Sequence, residues 1–186
     1  MNQIDLNGKV ALVNGASRGI GEAIARGLAA SGAHVVLTSR RLEGVQDVAD
    51  SIMDNGGKAT PCACHAGRME EIEQLFAFVE SEFGRLDILI NNAATNPHYG
   101  PANELSPRAF DKTVEVNLKG PYFMSSAAVP LMIQSGGGSI VNIASIAALI
   151  PLPGQAVYSM TKAGLISLTR SFAKEYGQQG IRANAV

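Results

Sequence analysis

The apolar run Lys9–Val13 passes into a helical stretch, Glu22–Ser31, through Asn14-Gly15-Ala16-Ser17-Arg18-Gly19-Ile20-Gly21. This handover from strand to helix through three glycines constrains the fold more than any other feature of the chain. The glycines permit a tight turn, close approach of the backbone to an anionic group, and amide N–H groups aimed at that group from a helix N-terminus. Such a turn can cradle the pyrophosphate of a dinucleotide. Its spacing, Gly-x-x-x-Gly-x-Gly, departs from the commoner Gly-x-Gly-x-x-Gly, and a glycine turn that only joins two elements is the alternative reading.

The alternation continues along the chain. Strands are predicted at Val10–Val13, Val35–Thr38, Ala59–Cys62, Leu86–Ile90, Ser139–Ile143 and Ile181–Val186, and helices at Glu22–Ala30, Leu42–Asn55, Met69–Phe83, Pro107–Gln134 and Gln155–Gly177. The strands are continuously apolar, as expected where both faces of a sheet are covered. Strand–helix repetition of this kind predicts an α/β, doubly wound parallel sheet, Rossmann-like, with helices on both faces. No linker or repeat divides residues 1–186, which read as a single dinucleotide-binding and catalytic domain.

A composition of 46% hydrophobic and 17% charged residues fits a globular domain with a sizeable core. The net charge of −1 gives no reason to expect nucleic acid or anionic membranes as partners. No apolar run reaches the roughly 18 residues of a membrane span, so the expected location is cytoplasmic. Cys62 and Cys64, the only two cysteines, read as reduced structural thiols, and no metal site is expected.

Tyr158 and Lys162 stand four residues apart on a predicted helix, so they share a face, and Ser145 lies thirteen residues upstream of the tyrosine. A tyrosine with its ordinary pKa of about 10 exchanges protons poorly near neutrality. A lysine ammonium about 5 Å away contributes roughly 3 kcal/mol towards lowering that value. Alone, the pair also matches chance spacing on a solvated helix.

The Gly15/Gly19/Gly21 turn, Asn91-Asn92-Ala93 after an apolar strand, Asn117, Ser145 and Tyr158/Lys162 occur in an order and spacing that resemble the short-chain dehydrogenase/reductase family. The resemblance covers essentially the whole chain and implies a nicotinamide-dependent oxidoreductase acting on a small-molecule carbonyl or alcohol. It implies Tyr158 as general acid/base, Ser145 as a hydrogen-bond donor to the reacting oxygen, and Lys162 as the group that lowers the tyrosine pKa and grips the nicotinamide ribose. Asn117 would hold a water linked to Lys162. Cofactor contacts are expected from Gly15, Ser17, Arg18, Gly19, Ile20, Gly21, Ser39, Arg40, Asn92 and Ala93, with Tyr158 and Lys162. Ser39 stands where an acidic residue would bind the ribose hydroxyls of NAD, and Arg40 and Arg18 favour the 2′-phosphate of NADP(H), with NAD(H) possible. Arg41 reads as solvated.

Three positions depart from the family pattern. Asn14 replaces a threonine, Ala94 a glycine, and Cys64-His65-Ala66-Gly67 lacks the aspartate that often meets adenine. The loop Thr95–Pro101 and the apolar stretch Ile146–Gly154 should flank the substrate mouth, and the Asn92-Ala93-Ala94-Thr95-Asn96-Pro97 run and the Cys64-His65-Ala66-Gly67 segment resemble those of the family's NADPH-dependent carbonyl and retinoid reductases. Family members also continue past a sixth strand, so the chain is expected to be incomplete at its C-terminus. Ile181–Val186 would then be an exposed sheet edge, with weak stability and a tendency to aggregate. A catalytically incomplete dinucleotide-binding module is the alternative function. The apolar helices predict a homodimer or homotetramer at full length.

Overall fold

A computed structural model describes residues 4–186. Its strands are β1 (Val10–Asn14), β2 (His34–Ser39), β3 (Lys58–Ala63), β4 (Ile88–Asn91), β5 (Gly138–Asn142) and β6 (Ile181–Ala185). Its α-helices are α1 (Gly19–Ala30), α2 (Glu43–Asp54), α3 (Met69–Phe83), α4 (Pro107–Val114), α5 (Gly120–Gln134) and α6 (Ala156–Tyr176). All strand pairings are parallel, in the order β3-β2-β1-β4-β5-β6. The expected doubly wound sheet is therefore present, with β6 at one edge.

Alternation along β1 explains why both faces are covered. Val10 and Leu12 join a core that includes Phe76 and Val79 of α3, Met124 and Met132 of α5 and Phe172 of α6. Ala11 and Val13 point the other way, into a core with Ala25 and Ala29 of α1 and Val45, Val48 and Ile52 of α2. The chain order reverses between β1 and β4, which opens a crevice at the C-terminal ends of the strands.

The predicted helix Pro107–Gln134 is not continuous. A π-helical turn, Glu115–Lys119, separates α4 from α5. Pro121 stands just beyond this turn. It has no N–H to give the carbonyl of Asn117, four residues earlier, so the α-type ladder cannot close there. Gly120 packs tightly at the same point, where a Cβ would overlap the Ala66 carbonyl.

Among the described residues, no helix is long and apolar enough to cross a membrane. Within the same residues, no cluster of three or more His, Cys, Asp or Glu side chains could hold a metal.

Candidate active site

The strands that flank the crevice each end in a polar residue, and the register sets these side by side. Thr38 of β2 pairs with Asn14 of β1, Asn14 with Asn91 of β4, and Asn91 with Asn142 of β5. Thr38 Oγ1 donates to Asn14 Oδ1 at 3.4 Å, so the departure at position 14 keeps a side-chain acceptor in place. Asn91 Nδ2 donates to Asn142 Oδ1 at 2.8 Å, and Asn142 Nδ2 donates to Thr169 Oγ1 of α6 at 2.8 Å. This buried seam ties the helix bearing Tyr158 and Lys162 to the centre of the sheet. Its signal in the sequence is the asparagine that ends three apolar strands.

The glycine turn sits above the seam. Gly15 and Gly19 have φ of 76° and 60°, in the left-handed region. A Cβ on Gly15 would lie 2.8 Å from the Ala93 backbone, and one on Gly21 would overlap the Gly15 carbonyl. Asn92 Nδ2 donates to that carbonyl at 2.8 Å. The amides of Gly15 and Ala16 donate to the Thr38 carbonyl at 2.9 and 3.0 Å, which hangs the turn from β2. No non-glycine among the described residues has positive φ, so Ala94 carries its methyl without backbone strain.

The turn forms one wall of a cleft of about 590 Å³. Of the other predicted cofactor residues, Ser17, Arg18, Ile20, Ser39, Arg40, Asn92 and Ala93 line it, Gly21 is buried beneath, and Tyr158 and Lys162 lie outside its lining. Ser39 Oγ donates to the Arg41 carbonyl at 2.5 Å and so closes a small turn with Arg40 at its apex. Arg18 and Arg40 are exposed, and among the described residues neither forms an ion pair. No carboxylate lines the cleft. A groove with a glycine cradle, free guanidinium groups and no anionic side chain suits a phosphate-rich ligand, and the residues present fit a dinucleotide.

The predicted catalytic residues gather at the ends of β5 and α6. Ser145 caps a short 3-10 turn, Ile146–Ala148, where its Oγ accepts from the Ala147 amide at 3.1 Å and keeps its own proton to donate. Tyr158 is half-buried in the first turns of α6. One turn on, Lys162 is only 2% exposed, and burial pushes its pKa down to about 8. Its ammonium lies over the Tyr158 ring, 5.8 Å from the centroid, and donates to the Ile143 carbonyl at 2.6 Å. That carbonyl belongs to the strand end that leads into Ser145.

Asn117 lies in the π turn with both ends of its amide engaged. Oδ1 accepts from the Thr95 amide at 2.8 Å, while Nδ2 donates to the Thr95 carbonyl at 2.9 Å and to Thr161 Oγ1 at 3.3 Å. Thr161 Oγ1 in turn donates to the Tyr158 carbonyl at 2.8 Å. Thr95 lines the dinucleotide cleft, so Asn117 couples that cleft to the helix turn carrying Tyr158 and Lys162. Sequence reasoning missed Thr95, Thr161 and the Ile143 carbonyl, because backbone acceptors and connecting hydroxyls leave no distinctive spacing.

Residues 9–186 match the family model described as short chain dehydrogenase. Dehydrogenase/reductase SDR family member 4 of Homo sapiens is 41% identical over 181 residues, which cover 97% of this chain and 65% of that protein. An uncharacterized oxidoreductase of Thermotoga maritima is 43% identical over 183 residues, covering 98% of this chain and 72% of its own length. The crystal structure of a metagenomic short-chain oxidoreductase in complex with NADP superposes with a TM-score of 0.92 at 40% identity, covering 97% of this chain and 81% of that one. The chain thus spans 65% of the length of the human relative it matches.

Proposed function

We propose that this chain, which belongs to the short-chain dehydrogenase family, transfers a hydride between NADP(H) and a carbonyl or secondary alcohol, with Tyr158 as general acid/base. One observation carries the reading. A hydrogen-bonded chain runs from the cleft through Thr95, Asn117 and Thr161 to the backbone of Tyr158, one helical turn before Lys162. A module that only held a dinucleotide would not need that coupling.

When bound, the nicotinamide would supply the hydride for reduction and take it up in oxidation. Tyr158 gives its hydroxyl proton to the substrate oxygen during reduction and removes one from the alcohol during oxidation. Ser145 donates to the same oxygen through the O–H left free by its capping contact. Lys162 has three N–H donors and spends one on Ile143, which leaves two for the ribose hydroxyls. The amide of Asn117 is occupied, so a water linked to Lys162 would rest on its backbone carbonyl, to which Pro121 has no N–H to offer.

Arg18 and Arg40 favour the 2′-phosphate of NADP(H) over the free hydroxyls of NAD(H). Each charge-assisted contact is worth roughly 1.5–3 kcal/mol, or about one to two powers of ten in affinity. Arg40→Asp is expected to reverse the preference, as read from parallel fluorescence titrations with NADPH and NADH. An unchanged preference would reject the assignment.

After Ser145, the side chains of Ile146, Leu149, Ile150 and Leu152 are exposed, and Tyr99, within the other mouth loop, is 75% exposed. Apolar carbonyl substrates fit such a surface. Tyr122 and Phe123, exposed on α5, would pack against a second copy of the chain. The functional reading is tested by titrating NADPH and then following ketone-dependent loss of nicotinamide absorbance with aliphatic and aromatic ketones. Tight binding without turnover of any ketone would favour the non-catalytic module.

A further inference from the structure

The end of the cleft beyond β2 is built differently from the phosphate end. It is closed by Cys64, His65 and Ala66 after β3 and by Lys112 and Val116 from α4 and the π turn. Only His65 and Lys112 bring titratable nitrogen there. His65 is 8% exposed, and its Nδ1 accepts from the Gly67 amide at 3.0 Å. Its Nε2 lies 2.8 Å from Lys112 Nζ, which also donates to Glu115 at 3.1 Å.

A neutral imidazole has one N–H and one acceptor nitrogen. With Nδ1 accepting from Gly67, the ring proton sits on Nε2 and points at the lysine ammonium. Two donors then face each other across 2.8 Å. The opposite tautomer only moves the conflict to Gly67. Burial and Lys112 both push the His65 pKa down, which keeps the ring neutral. Glu71 does not relieve the conflict, since it accepts from the His65 backbone amide and from Arg68. Glu115 takes one hydrogen of the Lys112 ammonium from outside the cleft, so the wall that faces the cleft still carries donors in excess and is lined by no carboxylate.

With the pyrophosphate on the glycine turn and the ribose at the end of β2, the base falls towards the ends of β3 and β4. We infer that His65 and Lys112 form a donor edge that recognises the purine through its acceptor atoms, so that the cleft does not select for the 6-amino group of adenine. The inference rests on the dinucleotide-binding role proposed above. An acceptor on the base would accept a hydrogen bond from His65 Nε2 or Lys112 and ease the conflict between them, whereas the 6-amino group would add a third donor.

The test is equilibrium binding of NADPH and of its 6-oxo (hypoxanthine) analogue, read by fluorescence on the intact chain. The wild type is expected to bind the 6-oxo ligand within about threefold of NADPH or more tightly. His65→Asp, which installs an acceptor, should shift the ratio towards NADPH by about tenfold. Lys112→Met, on a half-exposed helix face and less demanding on folding, should weaken the 6-oxo ligand more than NADPH. Tight NADPH binding with a wild-type preference of about tenfold or more for adenine overturns this inference and leaves the functional proposal standing. Binding of neither ligand overturns both.

Discussion

Tyr158→Phe is expected to lower kcat by about 10³-fold, within the range for loss of a positioned general acid, while the NADPH Kd stays within about twofold of wild type. The substitution removes one oxygen and leaves the ring. Lys162 keeps its place over that ring, 5.8 Å from the centroid, and its hydrogen bond to Ile143. The Asn117–Thr161 bridge contacts only the backbone carbonyl of Tyr158, so the coupling between cleft and helix survives as well. The loss should therefore fall on hydride transfer measured in a single turnover. The residual rate would come from Ser145, which still donates to the substrate oxygen. Turnover equal to wild type would reject the tyrosine as the proton donor, and a parallel collapse of NADPH binding would mean that the phenol is structural.

How far such a site can be read from sequence depends on which atoms do the work. The alternating strands and helices, the glycine turn and the Tyr158/Lys162 face were legible because apolar runs, glycine spacing and an i, i+4 pair are local signals, whereas the strand order is set by tertiary packing. The π turn was not, since helical propensity carries a prediction straight through residues 107–134. Only Gly120-Pro121, read for the hydrogen bond that Pro121 cannot make, reveals the break. Asn117 was picked out by the family motif set, but its partners are the backbone of Thr95 and the hydroxyl of Thr161, and neither has a sequence signature. The pairing of His65 with Lys112 joins positions 47 residues apart and depends wholly on tertiary packing.

Lys162→Met should separate stability from activity. In wild type, burial lowers the lysine pKa from 10.5 to about 8, so at pH 7 the folded state holds a charge it would rather shed. That shift corresponds to about 3 kcal/mol of destabilisation. Methionine is unbranched and apolar and can occupy much the same space, but it leaves the Ile143 carbonyl without its donor, at a cost of about 1–2 kcal/mol. The balance predicts a variant more stable by about 1–2 kcal/mol at pH 7, or a Tm higher by roughly 2–6 °C. Activity should fall by about 10²-fold or more, with the tyrosine's partner and the ribose donors gone.

The pH dependence identifies the cause. A base whose folded pKa is depressed destabilises fully below that value, and the penalty fades as pH rises from about 8 towards 10.5. The buried thiols act in the opposite sense. Cys62 and Cys64 are raised from 9.0 to about 11 and about 12, so they withdraw stability as pH climbs above 9. That loss is common to wild type and variant and cancels in their difference. The Tm gap between the two proteins should therefore be widest below pH 8, close between about pH 9 and 10, and reverse above that, where only the unpaired Ile143 carbonyl of the variant still counts. A gap that stays constant across this range would mean that packing, and not the buried ammonium, sets the stability difference.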